Sequence, residues 1–301
     1  MSELVLSVVL VSYNMAREIP RTLRSLSRTM QWGMDDTKYE ILLVDNGSSE
    51  PVDYDLCRQI IPDIKILETD GQSSSPVDAI NLGLSIATGE LVGVFIDGAR
   101  MASPGLLRQA LDAAAPLCKP VIGTIAFHLG PDVQMKSVQA GYNQAVEDEL
   151  LESCDWQSDG YRLFGISTLA ASSSRGWFMV PKETNALFMR REHWTALGGY
   201  DPAFVTRGGG HANHDMWYRA CHDTGSEVVM LLGEATFHQV HGGIATNASQ
   251  SRSAAYIEEY RAIRGYAHKH PDVKPRFYGS LTTLSAQTMN TSIELYQKHA
   301  S

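Results

Sequence analysis

What most constrains this chain is a repeated alternation in its first hundred residues: four short apolar runs, each closed by a polar turn, with helix-like patterns between them. Leu4 to Tyr13 reads as a buried strand and stops at Asn14. Pro20 then suits a first helical turn, with Leu23, Leu26 and Met30 at helical spacing and Arg21, Arg24 and Arg28 on another face. Glu40 to Val44 ends at the turn Asp45-Asn46-Gly47-Ser48-Ser49, and Ile64 to Leu67 ends at Thr69-Asp70-Gly71. A helix opened by Pro76 runs through Ala79, Leu82, Leu84 and Ala87, and Leu91 to Ile96 follows, ending at Asp97-Gly98. Strands that are apolar along their whole length need cover on both faces. The pattern therefore predicts an α/β fold with a mostly parallel, Rossmann-like central sheet and helices on both sides. Ligands of such sheets bind outside the carboxyl ends of the strands, and three of the four ends here carry a carboxylate: Asp45, Asp70 and Asp97.

The second half is less regular. Val121 to Phe127 and Asn185 to Arg190 read as strands, with a loop-rich stretch over 130–175 between them. Helices are expected over Glu192 to Leu197 and from about Asn213 to Thr224, the latter after Gly208-Gly209-Gly210. Val228 to Leu232 and Ala235 to His238 look like two short extended segments. The tail reads as helical from Ser251 to His270 and again from about Ser280. The expected organisation is a domain over 1–250, in halves 1–125 and 126–250, with a helical extension over 251–301.

Composition excludes several classes. The net charge of −9 argues against a nucleic-acid binder. No apolar run approaches the roughly 18–20 residues of a membrane span, and no basic region precedes the first strand, so neither an integral segment nor a secretory signal is expected. The four cysteines are scattered without a Cys-x-x-Cys pair, which fits reduced thiols in a cytoplasmic protein. Ser12-Tyr13-Asn14-Met15-Ala16-Arg17 contains no glycine. That removes the phosphate loop of a nucleotidyltransferase and the Gly-x-Gly-x-x-Gly turn of a dinucleotide oxidoreductase. Five histidines fall between 211 and 241, but His211-x-x-His214 lacks the i,i+4 spacing of helical zinc sites, so zinc is not expected there.

Taken in order, the motifs resemble the family 2 glycosyltransferases of the GT-A fold. Leu6-Ser7-Val8-Val9-Leu10-Val11-Ser12-Tyr13-Asn14 is similar to that family's first strand, and Glu40 through Ser48 to its second strand with a base-binding aspartate. Asn81-Leu82-Gly83 through Phe95-Ile96-Asp97 resembles the segment that delivers the donor-site acidic motif. Ala186 to Arg191 and Leu197 to Asp201 look like the acceptor side, with His214-Asp215 in the place of the acidic pair.

The resemblance implies transfer of a sugar from a UDP- or GDP-type nucleotide-diphosphate sugar to a carbohydrate, lipid-linked or small-molecule acceptor, by single-displacement inversion. It implies nucleotide contacts at Val11, Tyr13, Asp45, Gly71, Gln72 and Asp97, and a general base at Asp215. Trp177, Glu183, Asn185 and His214 are the expected acceptor contacts. The family usually carries Asp-x-Asp where this chain reads Asp97-Gly98-Ala99-Arg100, so a carboxylate is missing. Two expectations compete: Mn²⁺ or Mg²⁺ held by Asp97 with His238 or His241, or the Arg100 guanidinium meeting the diphosphate directly. The missing aspartate also keeps open a catalytically silent nucleotide-sugar-binding or assembly module. The tail, with Tyr256, Tyr260, Ile263 and Tyr266, could pack on the domain, join a homodimer or touch a membrane surface peripherally.

Overall fold

A computed structural model of the chain describes residues 5–71, 73–241 and 250–300. Ten strands form one mixed sheet: β1 (Leu6–Ser12), β2 (Tyr39–Asp45), β3 (Lys65–Glu68), β4 (Leu91–Phe95), β5 (Arg100–Ala102), β6 (Pro120–Leu129), β7 (Ser167–Leu169), β8 (Ala186–Arg190), β9 (Glu227–His238) and β10 (Arg276–Gly279). Their order is β10-β9-β6-β8-β4-β1-β2-β3, with β5 pairing β9 and β7 pairing β6 off this path. The block β3-β2-β1-β4 is parallel, as is β6-β9-β10, and β8 runs antiparallel between the two blocks.

The first block shows why the early runs are apolar throughout. Along β1 and β2, Val9, Val11, Leu42 and Val44 enter the core on one face of the sheet, while Leu6, Val8, Leu10, Ile41 and Leu43 enter the core on the other. Side chains alternate with a period of two, and both faces are covered, so no position tolerates exposure. Truncating one of these leucines to alanine costs about 2–5 kcal/mol.

The second half departs from expectation in three places. The stretch 130–175 carries two helices, Gln134–Gln139 and Gln144–Cys154, the latter capped by the Asn143 side chain. The two extended segments near 228–238 are one strand, β9, continuous through Gly233-Glu234. Gly233 sits at φ +80°, where a side chain is strained, and an added Cβ would lie 2.0 Å from the Ser280 carbonyl oxygen. The tail is more than helical. Its first helix, Gln250–Arg264, stops six residues before His270, and β10 then joins the sheet beside β9 before the last helix, Met289–Ala300. No helix among the described residues is long and apolar enough to cross a membrane.

Candidate functional site

A cleft of about 480 Å³ opens over the carboxyl ends of β1, β2 and β4. Its floor is Val11 and Ile96, one end is Tyr13, Asn14 and Asn46, and its middle is Asp97, Arg100, His238 and His241. The far end is Glu183, Asn185, His211, Asn213 and His214, walled by Arg207 and by Tyr256 from the C-terminal extension.

The β1 and β2 ends are cross-tied. Asn14, at φ +51°, donates its backbone N–H to Ser48 Oγ, and its side-chain oxygen accepts from Ser49 Oγ and the Glu50 N–H. Gly47 and Gly71 back onto each other, both at positive φ; a Cβ on Gly47 would lie 2.3 Å from Gly71 Cα. Gly71 therefore shapes the turn rather than lining the cleft, and Gln72 lies outside the described residues. Asp45 is buried behind this turn. Its Oδ1 accepts the Ser48 N–H at 2.7 Å, while Oδ2 has no partner among the described residues. A buried carboxylate oxygen without a donor is costly. Tyr13, at this end of the cleft, exposes an aromatic face.

In the middle of the cleft, the short antiparallel pairing of β5 with the end of β9 sets Arg100 opposite His238. Asp97 Oδ2 accepts Arg100 Nε at 2.9 Å and lies 3.7 Å from His238 Nε2. His238 and His241 face each other through their Nε2 atoms at 3.1 Å. Among the described residues, Asp97, His238 and His241 are the group whose ligand atoms all fall within 4.8 Å of one another. His238 Nδ1 is 2.6 Å from Gln134 Oε1, an acceptor, so that nitrogen carries the proton and Nε2 keeps its lone pair for the cleft. Burial, then Arg100, His241 and His128, push His238 well below the usual imidazole range. Burial, with Arg100 beside it, also lowers His241, although Asp97 and Glu18 oppose the shift. Two neutral imidazoles and a carboxylate form a donor set that fits a divalent cation of the Mn²⁺ class.

The missing second aspartate has a structural counterpart. Ala99 is fully buried in the core beneath the sheet, its N–H donating to Asp97 Oδ1 and its carbonyl accepting from Gln239. A carboxylate at 99 would be buried in this apolar core.

At the far end, Glu183 Oε2 accepts the Asn213 side-chain N–H at 2.9 Å, and His214 Nδ1 lies 3.5 Å away. Burial pushes the Glu183 carboxyl up, but His214, the Asn213 amide, Arg100 and His211 outweigh it and hold the group below the usual carboxylate range. Two of the expected residues stand elsewhere. Trp177 is fully buried in the core and its Nε1 donates to Thr288 Oγ1, so it lines no part of the cleft. Asp215, on the helix Ala212–His222, is 1% exposed and turns away from the cleft. Its Oδ2 accepts Arg219 Nε at 2.8 Å and Arg264 Nη2 at 2.7 Å, and its Oδ1 accepts Arg264 Nε at 2.6 Å. A 1% exposed carboxylate committed to two guanidinium groups and lying outside the cleft is an anchor between helices rather than a group that meets a substrate proton. Arg207, His211, Asn213 and Tyr256 line the cleft without having been expected there. They come from a glycine-rich loop and a distant helix, where no local pattern signals a shared wall.

A mixed sheet of this order, with a cleft over the carboxyl ends of β1, β2 and β4 and a candidate Asp/His cation site within it, is the architecture of the GT-A fold. The chain belongs to glycosyl transferase family 2, whose profile matches residues 7–173. Solved structures with this fold include S. aureus TarS 1–349 in complex with UDP-GlcNAc, at 16% identity and TM-score 0.55 over 86% of this chain and 65% of that one. Another is GalNAc-T7 with UDP, GalNAc and Mn²⁺, at 14% identity and TM-score 0.52 over 85% of this chain and 48% of that one. The chain spans 60% of a further TarS 1–349 structure, at 13% identity and TM-score 0.51. No curated protein matches the chain significantly.

Proposed function

We propose that the cleft transfers a sugar from a nucleotide-diphosphate sugar, of the UDP type, to an acceptor hydroxyl with inversion. The observation that carries this reading is an unpartnered buried oxygen, Asp45 Oδ2, directly behind the cleft residue Asn46, at the strand ends where Tyr13 exposes its ring, in a cleft that also holds Asp97, His238 and His241. Asp45 Oδ2 suits a nucleobase N–H, such as N3–H of uracil, while Tyr13 stacks on the ring. The UDP and UDP-sugar complexes among the structural neighbours point the same way.

The departing diphosphate needs positive charge. Asp97, His238 and His241 would hold a divalent cation that would supply it as a Lewis acid, and the Arg100 guanidinium adds to it. The acceptor oxygen attacks the anomeric carbon, the bond from that carbon to the diphosphate oxygen breaks, and the hydroxyl proton passes to a base. Glu183 takes that role in place of Asp215, because the carboxylates lining the cleft are Asp97 and Glu183, and Asp97 is paired with Arg100. His214 and Asn213 hold Glu183 ionised and in position.

Calorimetry with UDP-, GDP- and dTDP-sugars, each with Mn²⁺ and with EDTA, tests the reading, followed by an assay for donor hydrolysis. Binding of UDP-sugars that weakens in EDTA, with slow hydrolysis, is the expected outcome. Binding without any turnover would leave a silent binding module, and no binding to any nucleotide sugar would end both readings.

A further inference from the structure

Beyond the cation site in the middle of the cleft, a second set of imidazoles gathers at its far end, where the extension meets the helix Ala212–His222. His211 and His214 come from the start of that helix, and His268 and His270 from the segment following the helix Gln250–Arg264. The ring centroids of His211, His214 and His268 form a nearly equilateral triangle with sides of 5.1, 4.9 and 4.9 Å. His270 stands 4.8 Å from His268 and 6.4 Å from His214.

Each of these rings has a nitrogen that is shut off from solvent without a hydrogen-bond partner among the described residues: His211 Nδ1, His214 Nδ1, His268 Nε2 and His270 Nδ1. Buried nitrogens without a hydrogen bond carry a desolvation cost; His214 Nδ1 has only the Glu183 carboxylate at 3.5 Å, and the other three have no hydrogen-bond partner among the described residues. Burial and the neighbouring imidazoles lower His211 to about 4 and His268 to about 3, and burial with His214, Lys182 and Arg175 lowers His270. For His211, His268 and His270 burial thus favours the neutral imidazole, the form that ligates metals. The anionic Glu183 beside them disfavours an anion and favours a cation.

We propose that His211, His214, His268 and His270 bind a borderline divalent transition metal of the Zn²⁺ class, tying the C-terminal extension to the wall of the cleft. Imidazole nitrogens suit such ions. Metal–nitrogen bonds of about 2.0–2.1 Å in a tetrahedral site put ring centroids roughly 5 Å apart, which is the spacing of the triangle. The nitrogens do not yet converge as those of Asp97, His238 and His241 do, so loading turns the rings about their side-chain bonds and draws His270 inward. The site touches the transfer machinery through His214 beside Glu183, but its test reads metal binding alone and does not depend on turnover.

Co²⁺, with Zn²⁺ as competitor, is the probe on the full chain. In the Asp97→Asn/His241→Ala protein, which lacks the first cation site, Co²⁺ should still bind with the intense visible bands of a tetrahedral nitrogen-rich site. Zn²⁺ should displace it and raise the melting temperature. His268→Ala/His270→Ala should abolish those bands while leaving the metal-free far-UV spectrum unchanged. His268→Cys should keep Co²⁺ and add a thiolate charge-transfer band; that variant decides the matter if the double alanine protein does not fold. Absence of Co²⁺ binding in the Asp97→Asn/His241→Ala protein, or a spectrum unmoved by the changes at 268 and 270, overturns the proposal.

Discussion

Arg264 grips both oxygens of Asp215, with Nε 2.6 Å from Oδ1 and Nη2 2.7 Å from Oδ2, while its Nη1 reaches Asp201 Oδ2 at 2.8 Å. One side chain of the extension thus locks the helix Ala212–His222 and the turn before it. Arg264→Ala leaves the 1% exposed Asp215 with Arg219 alone, and the expected cost is about 3 kcal/mol, read from urea unfolding. Asp215→Asn should destabilise in the same way and leave kcat of the folded protein within a few-fold. A drop in kcat of about 100-fold or more at unchanged stability would return the base role to Asp215.

Glu183→Gln keeps the shape of the cleft and removes the proton acceptor. The expected result is a loss in kcat of about 100-fold or more, with donor affinity by calorimetry nearly unchanged, since the base acts on the acceptor. Donor affinity that falls in step with kcat would place Glu183 among the donor contacts instead.

How legible these features were follows from the range of the forces involved. β1, β2 and β4 were readable because both their faces are buried, which makes the strand itself apolar. Asp97 with His238 and His241 was readable in part, because a resemblance pointed to those positions; only the pairing of β5 with β9 brings them together. β9 read as two pieces because Gly233-Glu234 breaks its apolar run, and the break is satisfied by Ser103, Gly105, Gln109 and Tyr161, residues more than 70 positions away. Asp215 looked like a base because a carboxylate near a helix start after three glycines is a plausible one. Arg264, 49 residues downstream, neutralises it, and nothing local to Asp215 announces that partner. Trp177 failed for the same reason, since an aromatic that fills a core and one that lines a sugar site look alike in sequence.

The cation site should respond to its supporting residue as well as to its ligands. Asp97→Asn and His241→Ala are expected to abolish Mn²⁺ binding measured by calorimetry. Gln134→Leu removes the acceptor that fixes the His238 tautomer, and a loss of roughly 10- to 100-fold in Mn²⁺ affinity is expected. Unchanged affinity in Gln134→Leu would mean that His238 is not a ligand.

Glu234 makes a separate prediction about pH. Burial pushes its carboxyl from an ordinary 4.5 up to about 7, against the pull of Ser103, Tyr161 and Gly105, which hydrogen-bond to it. The folded protein therefore holds this proton more tightly than the unfolded chain does. The stabilisation is complete below about 4.5 and is lost as pH rises to about 7. Holding the proton at about 7 instead of 4.5 corresponds to about 3 kcal/mol. Glu234→Gln cannot titrate, and its amide N–H₂ faces donors, so it should be less stable than the parent at low pH. The stability gap between the two proteins should then shrink by about 3 kcal/mol between pH 4.5 and 7 in urea unfolding. A gap that stays constant over that window would show that Glu234 is ionised throughout, held by its donors in spite of its burial.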